Sequence, residues 1–269
     1  MGAENQNVST FEVKDHVARI TLNRPEAMNS LNPELRWELS QHWDEVEAND
    51  DIWLAVVTGA GARAFCAGAD LKHRARERDA DEVQRAQWQK MAAESTSLIE
   101  RWHFPKPIIA RVNGFALGGG LEQALACDII VAAEHAEFGL PEPRRGLIAG
   151  SAGVHRLPRQ IGLKPAMGYM LTGRHMTAAR AYELGLVNQV VPAEKLDEKV
   201  EEWVGDILRC APLAVRATTI LAPRTAESTE IPPTCASPTR AARGVRVRTH
   251  GQAGCCCWRW RACPGSGCV

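Results

Sequence analysis

The sequence predicts a mixed α/β fold, and three observations carry that prediction. Short apolar runs at residues 108–112 and 129–132 have the length and composition of buried strands, and the first runs into the turn residues Asn113-Gly114. A helix-length segment, 119–126, lies between them, and the order strand, turn, helix recurs at irregular spacing along the chain. A helix-start signal, Asn32-Pro33-Glu34, follows the first clear strand.

Residues 17–22 alternate as a half-buried strand does, with Ala18, Ile20 and Leu22 on one face. Asn23-Arg24-Pro25-Glu26-Ala27-Met28-Asn29 is a loop, because Pro25 stops the strand and disfavours helix in the residue before it. Asn32 then caps a helix running to about Ala48. Residues 53–57 form a short buried strand ending in the turn Thr58-Gly59-Ala60-Gly61. A loop at 67–72 precedes a charged, partly exposed helical stretch to about Glu100. Residues 165–172 and 178–185 are helices, the second closed by Gly185. Residues 196–210 are another, with Leu196, Val200, Val204 and Ile207 as its apolar stripe.

Composition narrows the class. The chain has 269 residues, 45% of them hydrophobic and 24% charged, which suits a globular protein of one large domain or two small ones. A net charge of zero argues against nucleic acid or an anionic membrane as the main partner. No run approaches the roughly 18 apolar residues of a membrane span. The first residues carry neither a basic start nor an apolar run, so the expected location is the cytoplasm. Cys66, Cys127 and Cys210 are scattered, which suits reduced cysteines that pack; the other six of nine fall after residue 234.

The chemistry concentrates in three segments. In Val112-Asn113-Gly114-Phe115-Ala116-Leu117-Gly118-Gly119-Gly120-Leu121-Glu122 an apolar run ends in three glycines, with a carboxylate two residues later. Such a turn leaves backbone N–H groups facing open space beside a titratable group, which a reaction passing through an oxyanion requires. A second carboxylate, Glu142, follows in Gly139-Leu140-Pro141-Glu142. The loop Ala64-Phe65-Cys66-Ala67-Gly68-Ala69-Asp70-Leu71-Lys72 offers another exposed N–H and a lysine for an anionic ligand. Plainer readings exist for each: Glu122 as a first-turn glutamate favoured by the helix dipole, Lys72 as a solvated surface lysine, the glycines as a close-packing device. Ala149-Gly150-Ser151-Ala152-Gly153 comes near the nucleophile elbow of serine hydrolases, but Ala149 stands where the motif needs glycine and no strand precedes it.

Taken together, these segments resemble the enoyl-CoA hydratase/isomerase family, the crotonase fold. The resemblance runs from about Val8 to Ala222 and rests on the loop 23–29, residues 64–72, 113–128 and 138–153, and Leu171-Thr172-Gly173, in that order. It implies a spiral of ββα units followed by C-terminal helices, binding acyl-coenzyme A thioesters and assembling as homotrimers or hexamers. By that resemblance the N–H groups of Ala69 and Gly119 form the oxyanion hole, Glu122 activates water and Glu142 protonates the α-carbon. Arg24, Ala27, Ala67, Asp70, Leu71 and Lys72 line the coenzyme A groove. No metal and no cofactor beyond the coenzyme A of the substrate are expected, and neither nucleic acid nor membrane is an expected partner. The resemblance also admits a double-bond isomerase, another acyl-CoA enzyme of this fold, or a catalytically weak binding protein.

The organisation expected is a spiral core at 1–195, the start of a C-terminal helical region at 196–222, and an atypical tail at 223–269. The tail holds seven arginines, no lysine, two glutamates and six cysteines, a charge of +5 against −5 for the rest. Its Cys255-Cys256-Cys257-Trp258-Arg259-Trp260-Arg261 run has no metal-ligand spacing. Our hypothesis is that a reading-frame change replaced the original end, which weakens assembly and pocket closure. Intact-mass measurement of natively produced protein is expected to match a different C-terminus; a mass equal to that of this sequence refutes the hypothesis.

Overall fold

A computed structural model describes residues 7–227 of the chain. The chain divides into two units, Met1–Ile220 and Leu221–Val269. From residue 228 on, the atypical tail, with its cysteine run, lies outside the described residues. In chain order the first elements are β1 (Ser9–Lys14), β2 (Val17–Leu22), α1 (Pro33–Ala48), β3 (Leu54–Gly59), β4 (Ala64–Cys66), α2 (Leu71–Asp79) and α3 (Glu82–Glu94). Then come β5 (Ile108–Val112), β6 (Phe115–Leu117), α4 (Gly119–Ala124), β7 (Ile129–Ala133), β8 (Glu137–Gly139), α5 (Gly153–Ile161) and α6 (Leu163–Thr172). The last are β9 (His175–Thr177), α7 (Ala178–Glu183), β10 (Gln189–Val191), α8 (Leu196–Leu208) and α9 (Pro212–Glu227).

The strands form two sheets, in the orders β1-β2-β3-β5-β7-β10 and β4-β6-β8-β9. All pairings in the larger sheet are parallel except β1 with β2, and in the smaller all except β8 with β9. Consecutive strands alternate between the sheets: β3, β5 and β7 go to the larger, β4, β6 and β8 to the smaller. Each such pair is followed by helix, so the chain winds as the expected spiral of ββα units.

Burial explains why the central strands read as unbroken apolar runs. Parallel strands are covered on both faces. Along β3, Ala55 and Val57 face the main core with Leu35 and Trp43 of α1, while Leu54 and Val56 face Val200 and Val204 of α8. The start of α1 is fixed by Asn32, whose side-chain oxygen accepts the Leu35 N–H at 3.0 Å, with proline next. Buried Lys106 donates to the Val46 and Asn49 carbonyls at the other end, a cation where the helix dipole is negative. No helix among the described residues is long and apolar enough to cross a membrane.

Two expectations need correction. The loop expected at 67–72 ends at Asp70, because its carboxylate caps α2 by accepting the His73 N–H at 3.0 Å; Leu71 and Lys72 are therefore helical. The charged stretch to Glu100 is two helices and a 3-10 turn (Leu98–Glu100) rather than one run.

The smaller sheet positions the site. Cys66 of β4 pairs with Ala116 of β6, and Leu117 of β6 pairs with Gly139 of β8. The chain leaving each strand at its C-terminal end therefore emerges beside the next. Gly120 makes this approach possible, since a methyl group there would lie 1.9 Å from the Cys66 carbonyl oxygen. Gly120→Ala is expected to destabilise the protein by roughly 3 kcal/mol, at the upper end of overpacking costs because the obstacle is backbone. Denaturant unfolding measures it, and an unchanged midpoint would refute the close approach.

Candidate active site

Two backbone amides meet where the β4 and β6 exits touch. A methyl group on Gly68 would lie 2.9 Å from the Gly119 nitrogen, and one on Gly119 would lie 3.9 Å from the Ala69 nitrogen. Gly68 also has φ +84°, a backbone region that side chains rarely adopt. The Ala69 amide is turned outward by its neighbours: Leu31 donates to the Gly68 carbonyl at 2.8 Å and accepts from the Asp70 N–H at 3.1 Å. In a parallel bridge those bonds straddle Ala69, whose own N–H faces the other way. Gly119 opens α4, so its N–H has no acceptor within the helix. Neither N–H has a protein acceptor among the described residues.

Glu122 is buried one turn into α4, only 3% exposed. Burial pushes its carboxyl upward. Hydrogen bonds from the backbone N–H groups of Gly153 and Ser151, and the nearby guanidinium groups of Arg36 and Arg156, work against that rise. The Gly153 bond is 2.9 Å long. A turn with Ala152 at φ +71° lets the two N–H groups converge, a backbone nest around one carboxylate. This is the real use of the Ala149–Gly153 segment: it leads into α5 rather than out of a strand, and its amides hold Glu122. The sequence reading missed that role. Its only signal was the density of small residues, needed because a methyl on Gly153 would lie 2.9 Å from Glu122 Oε1.

Glu142 opens a 3-10 turn (Glu142–Arg145) just after β8. Its Oε1 would sit 3.0 Å from a methyl on Gly118, and its Oε2 is buried without a hydrogen-bond partner among the described residues. Burial raises its pKa first, its own backbone N–H opposes that, and the charge of Glu122 raises it further. The two carboxyls are thus close enough to feel each other but differently held. Arg144 fastens this turn: its Nε donates to the Thr172 carbonyl at 2.9 Å, and a methyl on Gly173 would lie 2.9 Å from its Cγ. Gly173 has φ +61° and closes α6, which accounts for the Leu171-Thr172-Gly173 motif.

The residues expected along the coenzyme A groove form one braced unit. Arg24 donates to Asp70 at 2.9 Å and to the Ser30 carbonyl at 2.5 Å, and the Ala67 N–H donates to the Met28 carbonyl at 3.0 Å. Asp70 feels burial first, which raises it, but the His73 N–H and Arg24 outweigh this and hold it below the usual carboxylate range. Arg24 and Asp70 therefore bind each other and fix the loop. Lys72 is exposed and Leu71 is 42% exposed, while Ala27 and Ala67 are half-buried.

A cavity of about 360 Å³ opens beside Gly119, with Leu31, Leu39, Trp43 and Leu98 among its apolar lining. Cys66 is fully buried, and burial pushes its thiol up to about 12, so it offers no thiolate. Among the described residues no hydrogen bond joins Ser151 to a histidine, as a hydrolase triad would need.

Comparison with known proteins identifies the family and the fold. The family model for enoyl-CoA hydratase/isomerase matches residues 12–235, past Ala222 where the recognisable motifs fade. The chain is 43% identical over 209 residues to (E)-benzylidenesuccinyl-CoA hydratase of Thauera aromatica, covering 78% of this chain and 79% of that protein. It is 36% identical over 207 residues to short-chain-enoyl-CoA hydratase of Clostridium acetobutylicum, covering 77% of each. The crystal structure of enoyl-CoA hydratase from Bacillus anthracis matches with a TM-score of 0.74 at 39% identity, covering 83% of this chain and 84% of that one. With a family model spanning most of its length, and the fold to match, the chain belongs to the enoyl-CoA hydratase/isomerase family.

Proposed function

We propose that the protein is an enoyl-CoA hydratase, adding water across the 2,3 double bond of an enoyl-CoA thioester or running the reverse dehydration. One observation carries this reading: two carboxyls held in different ways, Glu122 buried and Glu142 half-buried, lie beside two backbone N–H groups that have no acceptor among the described residues. Water addition needs both. The N–H groups of Ala69 and Gly119 receive the thioester oxygen as it gains negative charge, a contribution of about 3–4 kcal/mol per donor. Glu122, gripped by two N–H groups, stays ionised and takes a proton from water as its oxygen bonds to C3. Glu142, raised by burial and by the charge of Glu122 nearby, keeps its proton and delivers it to C2. Proton exchange between the two acids resets the site.

The coenzyme A arrives as part of the substrate, so no resident cofactor and no metal is required. The exposed Lys72 ammonium supplies a point charge for its phosphates, and the loop braced by Arg24 and Asp70 carries the adjoining backbone. Apolar side chains on and near α6, Leu163 at 62% exposed, Leu171 at 70% and Ile148 at 71%, offer surface for further copies of the chain in a homotrimer or hexamer.

Glu122→Gln and Glu142→Gln are each expected to lower turnover of a trans-2-enoyl-CoA by roughly 10²–10⁴ with thioester binding largely kept. Loss of the conjugated enoyl absorbance measures it, and full activity in either variant removes that residue from the mechanism. The pH profile of kcat/KM follows from the signs. Activity falls on the acid side as Glu122 gains its proton and on the basic side as Glu142 loses its own. Glu142→Gln abolishes the basic limb of whatever activity remains; a basic limb that persists would place it on another group.

A further inference from the structure

Helix α5 turns one edge toward α4. Gly153 at its start donates to Glu122 at 2.9 Å, and Gln160 near its end donates through Nε2 to the Leu125 carbonyl at 3.0 Å. Arg156 stands three residues after the first and four before the second, on the same edge of the helix. Its guanidinium carbon lies 4.3 Å from the ring centroid of Trp102, inside the range of a cation–π contact. Trp102 follows the 3-10 turn at Leu98–Glu100 and lines the cavity together with Gln123 and Ser151, which flank Glu122 in its helix and in its backbone nest. The Arg156 charge reaches both Glu122 and Cys127.

An arginine on its long stem samples many positions, whereas a planar guanidinium stacked on an indole face keeps to one. A cation held near a carboxylate favours its ionised form. We propose that Trp102 and Arg156 are positioning residues of the site: the indole fixes the guanidinium at the α4 edge of α5, and the guanidinium serves as a counter-charge to the Glu122 carboxylate. The other groups around Glu122 define what is left when that counter-charge is removed. Arg36 of α1, on the cavity wall, adds a second positive charge, and Glu142 a negative one. Strand β6 brings no titratable side chain, Cys66 of β4 is pushed up to about 12 and stays neutral, and the Glu100 carboxylate accepts the Ser97 N–H at 2.8 Å. His155 and Arg159, the other charged or titratable residues of α5, are exposed.

The inference rests on the hydratase reading for the use of an ionised Glu122, and its test needs no turnover. Carbon-13 NMR of protein labelled at the glutamate side-chain carboxyls follows Glu122, whose signal is the one lost on Glu122→Gln. Glu142→Gln serves as the background, so that one carboxyl titrates rather than a coupled pair. Arg156→Met is expected to raise the Glu122 midpoint by about one pH unit, the low end for loss of a nearby opposite charge. Arg156→Lys, which keeps the charge, raises it less. Trp102→Leu raises it in the same direction by about half a unit, and Trp102→Phe, which keeps an aromatic face, by less than that. A midpoint unchanged in Arg156→Met or in Trp102→Leu overturns the proposal, and so does a rise in Arg156→Lys equal to that in Arg156→Met, which would assign the effect to packing. If Arg156→Met does not fold, the order of wild type, Trp102→Phe and Trp102→Leu decides. Hydration of crotonyl-CoA by the wild type is assayed alongside: absent turnover with the midpoints shifted as expected would sink the hydratase reading and leave this inference standing.

Discussion

The site depends on one constraint, the register of three short parallel strands whose C-terminal ends share an edge. Ala69 follows β4, Gly119 and Glu122 follow β6, and Glu142 follows β8, each within a few residues of its strand. Pairing Cys66 with Ala116 and Leu117 with Gly139 therefore settles where four groups from three distant parts of the sequence meet. Ligands of parallel sheets gather at such ends because the strands deliver loops and helix starts there together. The close contact is possible only with glycine, and the three consecutive glycines do different work. Gly118 takes a φ of +54° and makes room for Glu142, Gly119 presents its N–H, and Gly120 lets α4 lie against the Cys66 carbonyl.

A second consequence concerns charge. Two carboxyls near each other do not share one negative charge equally when their surroundings differ. Glu122 receives two backbone N–H groups and feels two guanidinium groups, whereas Glu142 has a buried oxygen without a partner among the described residues. The difference lies in main-chain geometry, with the turn at Ala152 aiming the Ser151 and Gly153 amides. Holding a non-glycine residue in that left-handed conformation costs about 1 kcal/mol. The cost falls where the grip on Glu122 requires it.

Much of this was legible in the sequence, for physical reasons that also mark the limit. The Asn32-Pro33 start and the end near Ala48 gave α1 its observed bounds, and the alternation at 17–22 and the apolar run at 108–112 gave two strands theirs. What was missed had no local signal. β1 lies at a sheet edge with mostly exposed side chains, and β4, β6, β8, β9 and β10 are three residues long, so their pairing is decided by tertiary contact. α5 begins after a left-handed alanine and contains Pro158, both contrary to helix propensity. At the site, Glu122 and Glu142 stood out as carboxylates beside glycine and proline. The amides of Ser151 and Gly153 did not, because backbone donors carry no side-chain signature. The mutual pairing of Arg24 and Asp70 needed three dimensions, as did the presence of Arg36 on the cavity wall.

The most direct measurement is the vibrational frequency of the thioester carbonyl in a bound enoyl-CoA, isotopically labelled at that carbon and read by difference Raman spectroscopy. A variant with both glutamates replaced by glutamine holds the ester without turnover. Two N–H groups converging on the carbonyl oxygen draw electron density toward it, so the band is expected at lower frequency than for the same ester in water. A band at or above the solution value would mean that the Ala69 and Gly119 amides do not meet the substrate, and the site would not be the one described.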